Sequence, residues 1–296
     1  MIKGLHIELT NKCTLKCPRC SRTEFIDRFP KKWKNIDIDI EELLRFIDVD
    51  ISNTRINLCG NYGDPIYHDG LVDAVKGLKD KGANVNIATN GSYRSADWWL
   101  SLADTLDEND HVTFAIDGLP DNFTKYRINA DWQSMIQGID IISESKARMI
   151  WQYILFSYNV KNVQQALRLS KDLGFDEFFT MDSGRWDNGS EWLTPNIDSV
   201  SQLKQDWKKG KPIDIDPKCS DQARHYISAD GFYTPCCWMG EHRFYYKSEF
   251  FKDRKMYDIR ENTLSEILGR EHVINFYNNI KDSKLDVCQF NCPKVT

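Results

Sequence analysis

The sequence lacks the features that mark several common protein classes. No apolar run long enough to span a bilayer occurs in its 296 residues, so no membrane span is predicted. The net charge is −5 and the pI is near 5.7, whereas a dedicated nucleic-acid binder would carry a basic excess. There is no P-loop and no G-x-S-x-G nucleophile elbow. These absences disfavour membrane proteins, nucleic-acid binders, P-loop nucleotide hydrolases and serine hydrolases.

Signs of a secreted protein are also missing. The amino terminus enters a predicted strand within a few residues and has no apolar signal-peptide region. The nine cysteines are an odd number and cluster toward the two ends of the chain, which is more typical of metal or catalytic sites than of disulfides. We therefore expect a cytoplasmic protein. A hydrophobic fraction of 41% and a charged fraction of 28% are ordinary for a folded globular chain.

Three cysteines follow the first predicted strand. Alternating apolar residues over 5–9 predict that strand. The cysteines are Cys13, Cys17 and Cys20. Thiolates at this spacing can hold one small inorganic core, because they are soft ligands suited to iron-sulfur clusters and to zinc. Structural zinc usually takes four ligands, so a zinc loop is the less favoured of these two alternatives.

A regular alternation of strand and helix patterns fills the first two thirds of the chain. The predicted strands are 5–9, 54–59, 84–89, 111–117, 148–158 and 177–181. The predicted helices are 40–47, 71–78, 95–106, 132–145 and 160–173, and residues 21–35 are predicted to be a loop. This alternation predicts an α/β fold with a parallel sheet and right-handed crossovers. We expect a partial (β/α)6 barrel and not a two-sided open sheet, because polar and glycine-bearing motifs follow the carboxyl ends of the strands.

The spacing C-x3-C-x2-C after a first strand resembles the cluster loop of radical S-adenosylmethionine (SAM) enzymes. The resemblance implies that Cys13, Cys17 and Cys20 hold a 4Fe-4S cluster, whose fourth iron takes the amino and carboxylate groups of SAM. It also implies that the reduced cluster passes one electron to SAM. The adenosyl radical formed in this way then abstracts hydrogen from a substrate.

Motifs at the ends of strands two and three extend the resemblance. Gly-Asp-Pro at 63–65 resembles a shortened Gly-Gly-Glu motif, which implies that Tyr62, Gly63 and Asp64 receive the SAM amino group. An ordinary β-turn is the alternative interpretation. Asn90 belongs to a Thr-Asn-Gly pattern that is frequent after the third strand in the same family.

Strands four and five supply the remaining predicted SAM contacts. Ala-Ile-Asp-Gly at 115–118 resembles the Ser-x-Asp-Gly motif of peptide- and sulfatase-maturing members, with Asp117 at the acidic position. In those members the serine and an arginine twelve residues later bind the SAM carboxylate. Here the serine position is Ala115, but Arg127 stands at the expected distance and its fork suits a carboxylate. A surface arginine is the alternative. Asn159 matches a polar position that could reach the ribose or cap the next helix.

Five more cysteines lie in the carboxyl-terminal third. A hairpin is predicted there, with strands at 226–228 and 232–234 around an Ala-Asp-Gly turn. The arrangement resembles the auxiliary-cluster twitch domain, a truncated SPASM domain. The resemblance implies a second 4Fe-4S cluster held by Cys219, Cys236, Cys288 and Cys292, with a helix at 263–278 between the pairs. Cys237 competes with Cys236 for one ligand position, and a zinc site is again the alternative.

The predicted organisation is a barrel domain at 1–190, a linker helix and loop at 191–215, and a twitch-like domain at 216–296. A short helix is expected at 199–207 inside the linker. Cys59, which ends an apolar strand, is expected to be a core cysteine.

The function implied by the resemblance is that of a radical SAM oxidoreductase or modifying enzyme whose auxiliary cluster transfers electrons. A peptide or protein substrate is the leading hypothesis, and a small-molecule alcohol dehydrogenase is the alternative. A flavodoxin- or ferredoxin-type electron donor is implied, as is a separate leader-peptide-binding protein, because no peptide-binding domain precedes residue 5. Neither nucleic acid nor a membrane is an expected partner. A hypothesis of another class is a non-catalytic iron-sulfur or zinc protein, which predicts no SAM cleavage under strong reductant.

Overall fold

A computed structural model describes residues 2–182, 214–217, 219, 224–282 and 285–294. Its strands are β1 Gly4–Ile7, β2 Arg55–Leu58, β3 Asn84–Thr89, β4 His111–Ala115, β5 Arg148–Leu155, β6 Glu177–Asp182, β7 Arg224–Ile227 and β8 Tyr233–Thr234. They form one sheet in the order β6-β5-β4-β3-β2-β1-β7-β8. All six strands predicted for the first part of the chain are therefore present, each within a few residues of its predicted bounds.

Helices connect the parallel strands. In the barrel they are α1 Ser21–Arg28, α2 Ile40–Phe46, α3 Leu71–Asp80, α4 Ala96–Ala103, α5 Trp132–Ser143 and α6 Val163–Asp172. Toward the carboxyl end the helices are His242–Tyr245, Glu249–Lys252, Leu264–Leu268, Glu271–Asn278 and Asp286–Asn291. At the start of α2 the Asp39 carboxylate accepts from Glu42 N at 2.8 Å and caps the helix.

The parallel part of the sheet confirms the predicted α/β partial-barrel fold. Along β3, Val85, Ile87 and Thr89 are buried, whereas the residues between them are half-buried. The buried side packs with the helices in the main core, and the opposite side faces the lumen of the partial barrel. The carboxyl ends of β1 to β5 therefore meet at one mouth, where the predicted motifs begin.

The prediction of a loop over 21–35 is wrong. This segment contains α1 and a 3₁₀ turn at Pro30–Lys32. Two aromatic contacts stabilise the segment in place of a periodic apolar stripe. The ring of Phe25 lies 5.4 Å from that of Phe29 and 5.8 Å from that of Trp33. Contacts of this kind leave little helical periodicity in the sequence, so the pattern did not indicate a helix.

The single helix predicted at 263–278 is also wrong. Two helices, Leu264–Leu268 and Glu271–Asn278, occupy this stretch. Gly269 ends the first of them, and Arg270 is an extended residue that starts the second. Thr263 and Glu266 form the capping box of the first helix.

The predicted C-terminal hairpin is present, but it also belongs to the main sheet. Strands β7 and β8 are antiparallel, with Tyr226 opposite Thr234. Strand β7 also pairs in parallel with β1, with Gly4 opposite Arg224. This pairing brings the C-terminal segment to the edge of the barrel beside the strand that leads into the cysteine loop. The helix predicted at 199–207 and most of the predicted linker lie outside the described residues.

The helices of the described part of the chain have at most 12 residues. None of them is both long enough and apolar enough to cross a membrane.

Candidate functional site

The three loop cysteines border one small group of buried side chains. Cys17 lies inside this group, and Cys13 and Cys20 pack against it. The other buried members are Leu15, Tyr126 and Phe156. A backbone hydrogen bond of 3.2 Å from Cys20 N to Cys17 O closes the loop. The fold thus brings the three predicted ligands together at the barrel mouth.

Asp64 and Asn90 lie beside the first of these cysteines. The buried carboxylate of Asp64 accepts from Thr89 Oγ1 at 2.8 Å, from Asn90 N at 2.7 Å and from the Asn90 side-chain amide. The same amide donates to Cys13 Sγ at 3.7 Å. Burial raises the pKa of the Asp64 carboxyl, and the hydrogen bonds from Asn90 and Thr89 oppose this shift. Asp64 therefore joins the ends of β2 and β3 next to the cysteine loop.

The turn at 61–63 is fixed by a carboxylate from β1. Glu8 follows β1, is only 1% exposed, and its Oε1 accepts from Tyr62 N at 2.7 Å and from Gly63 N at 2.8 Å. The Tyr226 hydroxyl donates to Glu8 Oε2. At Gly63 a Cβ atom would lie 1.8 Å from the carbonyl oxygen of Thr10, so only glycine fits there.

Replacing Gly63 by alanine is expected to lower the free energy of unfolding by about 1–3 kcal/mol, because two backbone segments must separate to admit the methyl group. Chemical denaturation followed by tryptophan fluorescence measures this change. Gly269→Ala is the matched control, since its added Cβ would meet no atom closer than 3.5 Å. Equal stability of the two variants would contradict the close approach at Gly63.

An ion pair lies on the other side of the cysteine loop. Arg127 Nε donates to Asp117 Oδ2 at 2.6 Å, and Asp117 Oδ1 accepts from Ile154 N at 2.7 Å. The Asp117 side chain is 0% exposed and that of Arg127 is 15% exposed. Burial opposes the charge of Arg127, but Asp117 and the neighbouring Cys17 outweigh it and raise the pKa of the guanidinium. Arg127 is thus a buried cation close to Cys17 and not a surface arginine.

The side chain of Asn159 joins the ends of β4 and β5 by hydrogen bonds to their backbone. It is 0% exposed, and its side-chain amide donates to Asp117 O at 3.0 Å and to Ile154 O at 2.9 Å. Its Oδ1 accepts from Phe156 N at 2.7 Å. Of the two alternatives for Asn159, helix capping is wrong, because its side chain makes no cap hydrogen bond. A ribose contact would require this fully buried side chain to become accessible.

The second group of predicted ligands also meets in space. A hydrogen bond to Cys236, burial, and the charges of Cys236, Cys288 and Cys292 together raise the pKa of the Cys219 thiol. Cys237 belongs to the same group, because its thiol makes a hydrogen bond to Cys236. This bond and the one from Cys219 lower the pKa of the Cys236 thiol. Chain segments far apart in the sequence therefore converge on one set of thiols.

The turn at 61–63 lies between the two thiol groups. Asn61 Nδ2 donates to Cys237 O at 2.8 Å, and the Tyr62 hydroxyl accepts from His242 N at 2.6 Å. The turn therefore contacts the cysteine loop through Asp64, whose backbone N donates to Lys12 O at 3.0 Å, and the C-terminal segment through Asn61 and Tyr62.

Sequence reasoning missed Glu8 and Tyr226. The signal for Glu8 was an acidic residue between the apolar residues Ile7 and Leu9, immediately before the cysteine loop. Cys59 was expected in the core but is half-buried, with its Sγ 3.0 Å from His6 Nε2. Strand alternation turns both side chains away from the helices, so Cys59 faces the lumen.

The residues fit iron-sulfur ligation by their grouping. Among the described residues, no three His, Cys, Asp or Glu side chains are spaced to hold a single metal ion. The fit therefore rests on which thiols the fold assembles: three around one buried group and a separate set at the C-terminal segment. Thiolates are the donors that such clusters use, and a set of four fills the coordination of a 4Fe-4S cluster. The buried cation Arg127 beside the first set adds a group suited to an anionic ligand.

Two family models match this chain. One, described as the radical SAM superfamily, matches residues 7–169, which is more than half of the chain. The other, described as an iron-sulfur cluster-binding domain and named SPASM, matches residues 219–293. These two domains bind SAM with a 4Fe-4S cluster and additional iron-sulfur clusters, respectively.

Individual proteins agree with these matches. The chain is 25% identical over 229 residues to molybdenum cofactor biosynthesis protein 1 of Drosophila melanogaster, covering 74% of this chain and 39% of that protein. It is 27% identical over 128 residues to the PqqA peptide cyclase of Bradyrhizobium diazoefficiens, covering 41% of this chain and 31% of that protein. The chain thus spans well under half the length of these relatives.

Solved structures show the same fold. SuiB of Streptococcus suis bound to S-adenosylmethionine superimposes with a TM-score of 0.64 at 10% identity, covering 98% of this chain and 72% of that chain. SuiB has also been solved bound to its precursor peptide SuiA. At this identity the similarity is one of fold.

Proposed function

Because the chain belongs to the radical SAM superfamily, we propose that it cleaves SAM reductively and uses the 5′-deoxyadenosyl radical to abstract hydrogen from a peptide or protein substrate. The observation that carries the proposal is the assembly of three thiols, Asn90 and Arg127 at the mouth of a partial barrel. That radical chemistry belongs to the bound cofactors. The chain's own residues bind, orient and shield them.

The proposed ligands of the first cluster are Cys13, Cys17 and Cys20. Next to them, the backbone carbonyls of Tyr62 and Gly63 are the proposed acceptors for the SAM amino group. Glu8 and Asp64 hold that turn from two sides, so the carbonyls keep one orientation. Asn90 links the turn to Cys13.

Arg127 is the proposed partner of the SAM carboxylate. Its bond to Asp117 uses one of five guanidinium donors and fixes the plane of the fork. Asp117 is in turn held by Ile154 N, and Asn159 ties the same strand ends together. Asp117 and Asn159 therefore act as positioning residues, and Arg127 makes the contact.

Cys219, Cys236, Cys288 and Cys292 are the proposed ligands of an auxiliary 4Fe-4S cluster. Four thiolates would fill its coordination, which favours electron transfer over direct ligation of substrate. Cys236 is preferred to Cys237 because of its spacing from Gly231, which matches the twitch-domain pattern. A flavodoxin- or ferredoxin-type protein is the proposed electron donor.

A peptide or protein substrate is supported by two comparisons. The PqqA peptide cyclase is a relative in sequence, and SuiB, which binds a precursor peptide, shares the fold. A separate leader-peptide-binding protein is a further proposed partner.

Candidate peptides are expected to increase the formation of 5′-deoxyadenosine several-fold over the substrate-free rate. The experiment uses the anaerobically reconstituted enzyme under strong reductant, with liquid chromatography for the nucleoside and mass spectrometry for the peptide. Stimulation by small polyols or amino alcohols and by none of the peptides would replace the peptide proposal with alcohol oxidation. Absence of SAM cleavage under all conditions would overturn the radical assignment.

A further inference from the structure

A cavity of about 170 Å³ lies at the barrel mouth, beside the turn at 61–63 and against the C-terminal segment. Its floor includes Glu8, and its walls come from the segment after the cysteine loop, from the β7–β8 hairpin and from the helix His242–Tyr245. A volume of this size is below that of pockets for whole small molecules and suits one side chain or one small amine.

Two carboxyl groups give the cavity its negative character. Glu8 already accepts from Tyr62 N, Gly63 N and the Tyr226 hydroxyl, and a carboxylate offers about four acceptor positions, so one remains. Asp230, at the tip of the hairpin, lies close enough for its charge to act on Glu8. Burial raises the pKa of Glu8 to about 7, the hydrogen bonds oppose this shift, and the charge of Asp230 adds to it.

Aromatic rings cover the walls. The ring of Trp33 lies 5.8 Å from that of Phe25 and 6.0 Å from that of Tyr62, and the rings of Tyr245 and Tyr246 are 5.7 Å apart. Ring faces attract cations and also cover alkyl stems. The Tyr245 hydroxyl is buried and has no hydrogen-bond partner within the described part of the chain. An unmatched buried hydroxyl is costly, and a donor from a ligand would satisfy it.

We propose that this cavity binds a primary ammonium group on an apolar stem, supplied by a lysine side chain of the substrate. The carboxyls of Glu8 and Asp230 attract the charge, the Tyr245 hydroxyl accepts a hydrogen bond from it, and the rings enclose the stem. The proposal rests on the proposed peptide substrate for the source of the amine. A free alkylamine has the same chemistry, and the experiment separates the two sources.

The affinity of this site is expected to rise with pH through about 7. Below that pH the Glu8 carboxyl is protonated and neutral, and above it the carboxylate attracts the ammonium, which stays charged to about pH 10. The titratable groups that face Glu8 or line the cavity around it are Tyr62, Tyr226, Asp230, Tyr245, Tyr246, Lys32 and Lys34. The two lysines lie exposed on the rim, so they reduce the negative potential without occupying the floor.

The test compares end-capped Gly-Lys-Gly with end-capped Gly-norleucine-Gly, which keeps the stem and lacks the charge. Dissociation constants are measured by ligand-observed NMR on the oxidised holoenzyme at pH 8 and pH 6. The lysine peptide is expected to bind about five-fold more tightly at pH 8, and this preference shrinks below about two-fold at pH 6. Butylamine in a third arm shows whether a free amine competes with the lysine peptide.

Asp230→Asn and Tyr245→Phe are each expected to remove part of the preference for lysine. Asp253→Asn is the matched control, because Asp253 is an exposed acid of the same segment that does not line the cavity. Equal binding of the two peptides, or equal losses in the Asp230 and Asp253 variants, would overturn the proposal. Binding of butylamine alone would assign the site to a free amine.

Substrate-free SAM cleavage is measured in parallel on the same preparation. Cleavage without a lysine preference rejects the ammonium site and leaves the radical assignment standing. A lysine preference without SAM cleavage rejects the radical assignment and leaves the ammonium site standing. The two failures are therefore distinguishable.

Discussion

Replacing Cys13, Cys17 and Cys20 together by alanine is expected to remove about half of the iron and all SAM cleavage. Two 4Fe-4S clusters correspond to about eight irons per chain, and the separate C-terminal thiols would keep about four. The structure supports this division, because the loop cysteines border one buried group and Cys219 interacts with a different set of thiols. Each thiol group should therefore load independently.

Iron, sulfide and zinc per chain are measured after anaerobic reconstitution, together with 5′-deoxyadenosine under reductant. Cys59→Ala is the matched control, since Cys59 contacts His6 and belongs to neither proposed ligand set. Unchanged iron in the triple variant would contradict the assignment of the loop. Four irons plus one zinc in the natural protein would leave a radical enzyme whose C-terminal site is structural, without an electron-transfer role.

Local patterns were sufficient for the parallel strands. Each strand of the barrel combines apolar alternation with a glycine- or asparagine-containing stop, and both signals depend only on neighbouring residues. Strand β3 has its predicted bounds for this reason. The pairing of β7 with β1 joins residues more than 200 positions apart, so no local pattern indicates it. Helix α1 was missed because ring contacts of Phe25 stabilise it without a periodic stripe.

The residues of the candidate site also fall into those that the local sequence predicts and those that depend on distant segments. Resemblance to family motifs was enough to predict both thiol groups and Arg127, because each motif consists of residues at fixed short spacings in the sequence. The supports of these residues come from distant segments: Tyr226 reaches Glu8 across 218 positions, and Asn61 reaches Cys237 across 176. The sequence indicates only that Asn159 is a polar residue at a strand end, whereas its burial and its three backbone bonds depend on the fold.

Replacing Arg127 by alanine is expected to cost about 3–5 kcal/mol of stability and to abolish SAM cleavage. The stability loss follows because Asp117 is 0% exposed and would be left as an unpaired buried charge. Denaturant unfolding of the anaerobic holoenzyme measures this change. A loss below about 1 kcal/mol would mean that the pair is solvated and would contradict its burial.

Loss of activity in that variant has two possible origins, poor folding or a missing SAM contact, and a second pair of variants separates them. Arg127→Met combined with Asp117→Asn removes both charges, so most of the stability should return. SAM cleavage should stay absent, because no guanidinium remains to bind the carboxylate. Arg127→Lys keeps the charge without the fork and should raise the KM for SAM about 10- to 100-fold, as expected for losing a charge-assisted hydrogen bond. Recovery of cleavage in the doubly neutral variant would show that Arg127 only stabilises the fold.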